Sequence, residues 1–414
     1  MEPMLHLRSS ALLAAAAAAT LATAACAGGG HIGDDDDTAR GDGAPPGTPD
    51  APPGPDPTGD GGGPLPGRDG GVVVGHADAG PEEALPVCDF MAPSFKPPGG
   101  LSPAQVPQFI VLGIDDNRYV DGMEWMLDQL ESRHNPAGHG NARTHDGQPL
   151  HVSFYFTSSF LETGGAPLLS QWQRVVADGH EVGNHTYSHE VTDWQSEIDT
   201  CDNDLIAKLG IEEKDIIGFR CPYLNYQQPT LVYPVLKGFG HFKYDCTIRH
   251  DAYYDYLTPG ATDFYMHIWP YTLDHGIDIF TGGNLGIGNF PGLWELPPYA
   301  LPTSASRAGL QQPSNNYTGF DSTAYGTVGI SGQAFENSLK WALDLRLAQG
   351  DNRAPLIVGL HTDTYSSEND GYPQPLADRR QAIVNFLDYA LSKPDVRFVS
   401  GKQLIQWMCS PTPL

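Results

Sequence analysis

Two histidines four residues apart are the residues of this sequence best suited to metal chemistry. The stretch 179–189 reads GHEVGNHTYSH and carries His185 and His189 just after a short apolar run. Four residues are about one helical turn, so both imidazoles are predicted to lie on one helix face and to share a metal ion. Because such pairs also arise by chance, the prediction needs a further ligand.

A stretch upstream supplies that ligand. The run FIVLGIDDN (109–117) is an apolar strand that ends on Asp115 and Asp116. Zinc at a hydrolytic site takes three protein ligands and keeps one position for water. Consecutive side chains of an extended chain point to opposite sides. One aspartate is therefore predicted to complete the metal site with the two histidines, and the other to face the water that is activated.

Strands and helices that could position these groups alternate along the chain. Apolar runs of strand length fall near residues 109–114, 151–157, 180–184, 216–220, 241–246, 293–296, 355–361 and 396–400. About eight strands alternating with helices predict a single α/β catalytic domain folded as a distorted or incomplete (β/α) barrel, similar to a TIM barrel.

Helices are predicted from apolar stripes at helical spacing. One further helix is predicted to be capped by Thr192 and to bury Trp194, Ile198, Cys201, Leu205 and Leu209. The other stripes are Met123, Met126, Leu127 and Leu130; Phe335, Leu339, Leu343 and Leu347; and Ile383, Phe386, Leu387 and Leu391. The segment 247–332 interrupts the alternation and is predicted to be an irregular insert over the site.

In such barrels the chemistry lies at the C-terminal ends of the strands. Asp115 and Asp116 end the first predicted strand, His185 follows the third, Arg220 ends the fourth and His361 ends the seventh. Four separated segments are therefore predicted to deliver ionisable groups to one rim. We expect Arg220 to pair there with Asp115.

The N-terminal part of the chain carries export signals. Residues 1–25 read as a secretory signal peptide. The tetrapeptide 23–26 resembles a bacterial lipobox; if it is used, Cys26 becomes a lipidated first residue of a cell-envelope lipoprotein, and otherwise the protein is secreted or periplasmic. Residues 26–87 are mostly Gly, Pro, Asp and Ala and are predicted to be a disordered tether. The catalytic domain is predicted to span residues 88–414.

The net charge of −27 limits the classes of partner. So acidic a protein is a poor partner for nucleic acid or for anionic lipid surfaces. We expect a monomer that contacts the membrane only through a lipid anchor at Cys26, and a neutral or partly cationic polymer as the substrate.

Together these motifs resemble the polysaccharide deacetylases of carbohydrate esterase family 4 (the NodB-homology domain), and most closely the chitin-deacetylase branch known from arthropods. The resemblance rests on Ile114-Asp115-Asp116, HTYSH (185–189), RCPY (220–223) and His361. It extends from about Leu85 to the C-terminus through VPQFIVLGIDDN, GFRCPYLNY, FKYDCTI, WPYTLD (269–274), LWELP (293–297) and RFVSGKQLIQWMCSPTP (397–413).

The resemblance implies one divalent metal ion, zinc or another such as cobalt, held by Asp116, His185 and His189. It implies that Asp115 is the base that takes a proton from water. Arg220 would hold that base in position.

Three further roles follow from the same resemblance. The backbone N–H of Tyr223 would help to bind the oxyanion, and His361 would be the acid that protonates the departing amine. Trp269 would form a wall of the acetyl pocket. At three positions this chain departs from the common family pattern: Gly113 and Ile114 stand in place of Thr and Phe before the two aspartates, and Val358 stands where a leucine usually lines the acetyl pocket.

The resemblance implies metal-dependent hydrolysis of N-acetyl groups from an N-acetylglucosamine-containing polysaccharide, chitin-like polymer first, with release of acetate. Peptidoglycan and acetylxylan are alternative substrates. A glycan-binding protein on an inactive deacetylase fold is an alternative of another class, and a structural surface lipoprotein is a third.

Six cysteines in an exported protein suggest disulfides. Without Cys26 five remain, enough for two bridges and one thiol. We expect Cys88–Cys409 first, since it would join the two ends of the domain, and Cys221 and Cys246 could pair at the rim.

Overall fold

A mostly parallel sheet of nine strands lies at the centre of the protein. The computed structural model describes Cys88, Phe90 and residues 94–224, 229–248, 267–275, 288–302, 316–317, 319–348 and 352–414. The signal peptide, the lipid-attachment site at Cys26 and the tether at 26–87 lie outside the described residues and stay predictions. So does most of the insert, at 249–266, 276–287 and 303–315.

The strands follow the predicted apolar runs. All eight runs contain a strand, because buried parallel strands are nearly continuous apolar segments. The strands are β1 Gln108–Asp115, β2 Ser153–Phe156, β3 Glu181–Asn184, β4 Gly218–Phe219, β5 Tyr244–Asp245, β6 Tyr271–Leu273, β7 Phe290–Glu295, β8 Leu301–Pro302, β9 Asn316–Tyr317, β10 Leu356–His361 and β11 Val396–Phe398.

Neighbouring strands of the large sheet follow the order β10-β1-β2-β3-β4-β5-β7-β6, and β11 also pairs with β1. Every pairing in this sheet is parallel except that of β6 with β7. Within the described residues no pairing joins β6 to β10, so the curled sheet forms an open, incomplete barrel. The predicted distorted (β/α) barrel is confirmed.

Part of the predicted irregular insert is regular. Strands β6 and β7 add to the edge of the large sheet, and β8 and β9 form a separate antiparallel pair. Strand β7 agrees with the run predicted near 293–296. The prediction that 247–332 is irregular is wrong for β6, β8 and β9, whose runs of two or three residues are too short for periodicity to identify a strand.

Helices cover the outer face of the sheet, and their apolar stripes pack into the core as predicted, with Leu209, Leu347 and Leu391 at the stripe ends half-buried. The helices are α1 Val120–Glu131, α2 Phe160–Ala177, α3 Trp194–Leu209, α4 Pro229–Phe239, α5 Gly332–Leu347, α6 Leu376–Leu391 and α7 Gly401–Cys409. The cap prediction is wrong: α3 begins after Asp193, which has a left-handed backbone, and not after Thr192. None of the described helices is both long and apolar enough to cross a bilayer.

The two faces of β1 pack in different cores. Ile110, Leu112 and Ile114 lie in the cluster that the outer helices cover, while Phe109 and Val111 lie in a second cluster with residues of α7. The ring of Phe109 packs edge-on against Trp407 of α7, with centroids 4.8 Å apart. Phe109, Val111 and Asp115 alternate along β1 and so lie on one face of the strand. This face packs against α7 near the start of the strand and presents Asp115 at its C-terminal end.

The expected disulfide between Cys88 and Cys409 is confirmed. It joins the first described residue to the last residue of α7. Closing so long a loop lowers the entropy of the unfolded chain, which stabilises the folded domain.

Candidate active site

Three side chains at one end of the sheet place metal-ligand atoms close together. One atom each of Asp116, His185 and His189 lies within 4.8 Å of the others. The Nε2 atoms of His185 and His189 are 3.7 and 3.6 Å from Oδ1 of Asp116. That oxygen is buried with no hydrogen-bond donor. Ligand atoms about 2.1 Å from a common tetrahedral ion are about 3.4 Å apart, so this set fits a zinc-sized divalent cation.

The protonation states of the ligands suit a cation. Nδ1 of His185 donates to the backbone carbonyl of Arg220 at 2.7 Å, which leaves Nε2 to face Asp116. Burial lowers the pKa of His185 to about 4, so this imidazole is neutral at pH 7. Burial alone would raise the pKa of Asp116, but the electrostatic influence of His189 and His185 outweighs it and the pKa is lowered.

The two histidines are joined by a loop, not by a turn of helix. The prediction of one helix face is wrong: β3 ends at Asn184 and the next helix begins only at Trp194. Thr186 and His189 have left-handed backbones, with φ of 69° and 65°. Such residues persist only where their surroundings hold them.

Side chains on either side anchor this loop. The amide of Asn184 donates to the Ile198 carbonyl and accepts from the Thr186 N–H. The carboxylate of Glu197, in the first turn of α3, accepts from the N–H and the hydroxyl of Ser188. These contacts satisfy loop donors that a helix would have bonded internally.

The first aspartate of the pair forms a buried ion pair. Asp115 Oδ1 is 2.6 Å from Nη1 of Arg220, as predicted, and Arg220 is fully buried. The guanidinium lies between the rings of Tyr155 and Phe320, 4.4 and 5.1 Å from their centroids. Asp115 thus stands beside the metal-ligand group but bonds to a cation of the protein.

Gly113 makes room for that cation. A Cβ atom at this position would lie 2.3 Å from Nη2 of Arg220. Any side chain here would displace the guanidinium from Asp115. The departure from the common Thr at this position therefore has a steric cause in this chain.

His361 at the end of β10 has a carboxylate partner that the sequence did not reveal. Its Nδ1 donates to Oδ1 of Asp321 at 2.7 Å, and its backbone N–H donates to Oδ2 at 2.9 Å. Burial lowers the pKa of His361, but Asp321, with smaller contributions from Asp116 and Asp115, raises it to about 10. His361 is therefore an imidazolium at neutral pH and can donate a proton.

Asp321 lies in the segment expected to be an irregular insert, so it received no role from the sequence. The preceding residue, Phe320, forms an isolated parallel bridge with Gly359 of β10. That bridge places Asp321 beside the strand end. An acidic residue next to an apolar one is too common a pattern to single it out.

Tyr223 lies at the mouth of the site. Its ring meets that of His189 edge-on, with centroids 4.4 Å apart, and the residue is 64% exposed. It has a left-handed backbone with φ of 57°, and the N–H of Leu224 closes the turn onto the Cys221 carbonyl.

The structure does not bring the two predicted pocket residues to this site. Trp269 is fully buried and stacks on Trp407 of α7, with centroids 6.1 Å apart. It lies in the cluster with Phe109, at the start of β1. Val358 is fully buried in the helix-covered cluster. Being three residues from His361 on one strand, it points to the opposite face of the sheet. Neither residue therefore lines the rim in this structure, and their assignment to the acetyl pocket stays a prediction.

The expected Cys221–Cys246 disulfide is also wrong. Cys201, Cys221 and Cys246 are buried thiols. Cys246 Sγ instead accepts a hydrogen bond from Nη2 of Arg220 at 3.0 Å. Burial raises the pKa of this thiol to about 11, so it stays protonated.

This rim combines three chemical functions at the ends of separate strands: a group that fits a divalent cation, a carboxylate held by an arginine, and a histidine cation held by a carboxylate. Such a set can polarise a carbonyl, take a proton from water and deliver one to a leaving group. The arrangement suits hydrolysis.

Two sequence matches bear on the class of reaction. Residues 146–237 match a family profile described as polysaccharide deacetylase, a range that includes His185, His189, Arg220 and Tyr223. The chain is also 24% identical over 338 residues to chitin deacetylase 8 of Bombyx mori, a match that covers 80% of this chain and 78% of that protein. Both matches confirm the resemblance carried by the motifs.

One solved structure that aligns with this chain is the Xyl-CE4 domain of a multidomain xylanase from the hindgut metagenome of Trinervitermes trinervoides. The two are 16% identical, the alignment covers 72% of this chain and 89% of that chain, and the TM-score is 0.34. Puue allantoinase aligns at 13% identity, 76% of this chain, 95% of that chain and a TM-score of 0.44. TM-scores this low support no inference about function.

Proposed function

We propose that this chain, which belongs to the polysaccharide deacetylases, hydrolyses the N-acetyl groups of an N-acetylglucosamine-containing polysaccharide and releases acetate. The observation that carries this proposal is the meeting of Asp115–Arg220, His361–Asp321 and the ligand group of Asp116 on one rim. Each member of this set has a step to perform in amide hydrolysis.

Asp116, His185 and His189 would hold one divalent metal ion, with zinc as the first candidate and cobalt as another. When bound, such an ion would polarise the acetyl carbonyl and lower the pKa of water toward about 7. His185 is held for this role by its bond to the Arg220 carbonyl.

Asp115 would act as the general base. Its carboxylate takes one proton from water while the water oxygen attacks the acetyl carbon. The ion pair with Arg220 fixes the orientation of this carboxylate beside the metal-ligand group.

The remaining steps concern the oxyanion and the leaving group. We assign the backbone N–H of Tyr223 to the oxyanion, where one preorganised donor is worth roughly 3–4 kcal/mol of barrier. The His361 imidazolium then protonates the amide nitrogen as the C–N bond breaks. The products are acetic acid and the amine of the sugar, and the acid then ionises to acetate. The proton taken by Asp115 passes to His361, which restores both groups for the next turnover.

A chitin-like polymer is the substrate to test first, because the curated relative is named a chitin deacetylase. The strong net negative charge also suits a neutral polymer that becomes cationic as it loses acetyl groups. Peptidoglycan and acetylxylan are the alternative substrates within the same chemistry.

We also propose that the protein is exported. The leader-like residues 1–25 support export, and Cys26 would carry lipid if the lipobox is used. The Cys88–Cys409 disulfide fits an oxidising compartment. Metabolic labelling with a radioactive fatty acid separates the two forms, since Cys26→Ser would abolish the label only in a lipoprotein.

The purified full chain should release acetate from at least one of three polymers tested side by side: chitin oligomers, peptidoglycan and acetylxylan. Release from chitin oligomers supports the proposal as stated. Release only from peptidoglycan or acetylxylan would make that polymer the substrate in place of chitin. Binding to chitin without acetate release from any polymer would favour the glycan-binding alternative.

A further inference from the structure

Two motifs of the sequence, FKYDCTI and LWELP, meet at a pair of buried carboxyl groups that the proposed reaction does not use. Asp245 of β5 and Glu295 of β7 are Cα partners in neighbouring parallel strands, and both are fully buried. Among the described residues, neither carboxyl forms an ion pair with a cation. Two carboxylates this close cannot both be ionised, so the pair must share a proton.

The hydrogen bonds around the pair indicate which carboxyl keeps the proton. Asp245 accepts from the hydroxyls of Tyr233 and Thr247, and this favours its ionised form. Within the described part of the chain, Glu295 Oε1 accepts the Ile248 N–H and its Oε2 is buried with no hydrogen-bond partner. Burial raises the pKa of Asp245 to about 6, whereas burial and the neighbouring Asp245 raise the pKa of Glu295 well above its ordinary value. Glu295 is therefore the member of the pair that carries the proton at neutral pH.

From this pair, hydrogen bonds lead to the active site. The hydroxyl of Thr247 donates a hydrogen bond to Asp245, and the same oxygen accepts one from the Cys221 N–H at 2.9 Å. The carbonyl of Cys246 accepts from Nε of Arg220 at 3.0 Å. The segment 245–247 thus holds both the side chain of Arg220 and the backbone that follows it.

That backbone is the turn that ends at Tyr223. Only Pro222, with its fixed φ, separates the anchored Cys221 N–H from Tyr223. Tyr223 has a left-handed backbone conformation that residues other than glycine rarely adopt, and 64% of the residue is exposed. A conformation of this kind has to be imposed from the buried end of the turn.

We propose that Asp245 and Glu295 are positioning residues that share one proton and, through the Thr247 hydroxyl, hold the Cys221–Pro222–Tyr223 turn in the geometry that presents the Tyr223 N–H to the oxyanion. The inference rests on the proposed function. It assigns to the pair an effect on the rate of the chemical step and not on substrate binding.

The test compares Thr247→Val, which keeps the shape but removes the hydroxyl, with Thr247→Ser, which restores it. In Thr247→Val we expect kcat for acetate release to fall about 10- to 100-fold, less than loss of an oxyanion donor outright, with KM nearly unchanged. Thr247→Ser should recover most of the lost rate. Hydrogen–deuterium exchange at the Cys221 amide should rise in the Val variant and not in the Ser variant, a readout that needs no activity.

A second pair of variants examines the shared proton. Glu295→Gln keeps a donor toward Asp245, whereas Glu295→Leu removes it. We expect the Leu variant to show the kinetic and exchange changes of Thr247→Val, and the Gln variant to restore both. Circular dichroism and thermal melting confirm that each variant is folded before it is compared.

A Thr247→Val variant with wild-type kcat and wild-type Cys221 exchange, beside a wild type that releases acetate, would overturn the inference. So would equal effects of Gln and Leu at position 295, or a fall in melting temperature with kcat unchanged. A wild type that releases no acetate from any polymer contradicts the proposed function instead. In that case the exchange rate of the Cys221 amide in the Thr247 variants alone tests whether the Thr247 hydroxyl anchors the turn.

Discussion

Asp115 and His361 are Cα partners in the register of the parallel strands β1 and β10. Partners in a parallel pair have side chains on the same side of the sheet, about 4.8 Å apart at the backbone. Each is the last residue of its strand, and each is held by an oppositely charged partner, Arg220 or Asp321. The proposed base, Asp115, and the proposed acid, His361, therefore lie side by side at the same edge of the sheet.

Replacing Asp115 by Asn should stop turnover and leave the metal bound. Asparagine keeps the shape of the side chain but takes up no proton, so we expect kcat to fall about 10²- to 10⁴-fold. Metal affinity, measured by competition with a chromophoric chelator, should stay near that of the wild type. Asp116→Asn is the control and should lose the metal. Loss of metal from Asp115→Asn instead would mean that the two aspartates have exchanged roles.

Replacing Asp321 by Asn should shift the pH dependence of kcat. The pKa of His361 is raised to about 10 against the effect of burial, with Asp321 as the largest favourable influence. Without that carboxylate the pKa falls, and the acid is lost at lower pH, so the alkaline limb of kcat should move down by about 1–3 pH units.

The control for that shift is Asp388→Asn, which removes an exposed carboxylate paired with Arg133. This variant should keep the alkaline limb where the wild type has it. An unmoved limb in Asp321→Asn would show that another group sets the acid pKa.

Replacing Gly113 by Ala should damage the site through sterics alone. The new Cβ would lie 2.3 Å from the Arg220 guanidinium, which is fully buried and has nowhere to move. We expect the free energy of unfolding to fall by about 1–3 kcal/mol, as for overpacked cores, and kcat to fall with it.

The matched control is Gly238→Ala on helix α4, where nothing lies within 4 Å of the new atom. Alanine in an exposed helix should be neutral or stabilising by about 0.5–1 kcal/mol. If Gly113→Ala were as stable and active as this control, the close approach of Arg220 to Gly113 would be wrong.

Several elements could be predicted from the sequence because their signals are local. Apolar runs and helical stripes identified eight of the eleven described strands and four of the seven described helices. The C-terminal ends of parallel strands meet at one edge of the sheet, which is where the site was expected. The ion pair of Asp115 with Arg220 followed from their placement at this edge, and the Cys88–Cys409 disulfide from the position of the two cysteines at the ends of the domain.

Other features depend on contacts distant in the chain. The His185–His189 loop is held in left-handed backbone by Glu197, which no periodicity encodes. Asp321 reaches His361 only through the bridge between Phe320 and Gly359. Val358 is different, because its odd spacing from His361 already places it on the other face of the strand.

His180, which lies away from the site, should make the free energy of unfolding depend on pH in the acidic range. His180 is 7% exposed, its Nδ1 accepts the Val152 N–H, and its ring packs near Phe154. Burial lowers its pKa to about 3. Between pH 6.5 and about 3 the unfolded chain binds a proton that the folded chain does not, so the free energy of unfolding falls as the pH falls.

His180→Asn keeps an acceptor near the Val152 N–H and does not titrate. Its free energy of unfolding from urea titrations should fall less steeply between pH 6 and 4 than that of the wild type, by up to about 1.4 kcal/mol per pH unit. Parallel pH profiles of the two proteins would mean that His180 is protonated in the folded state as well.

The central claim is that the Asp116–His185–His189 group holds the ion that hydrolysis requires. The measurement that tests it most directly is acetate release from chitin oligomers by the full chain, before chelation, after chelation, and after one equivalent of zinc or cobalt is restored. We expect release to disappear on chelation, to return with about one bound ion per chain, and to stay absent in His189→Ala. Full release by the metal-free protein, or by His189→Ala, would contradict the claim.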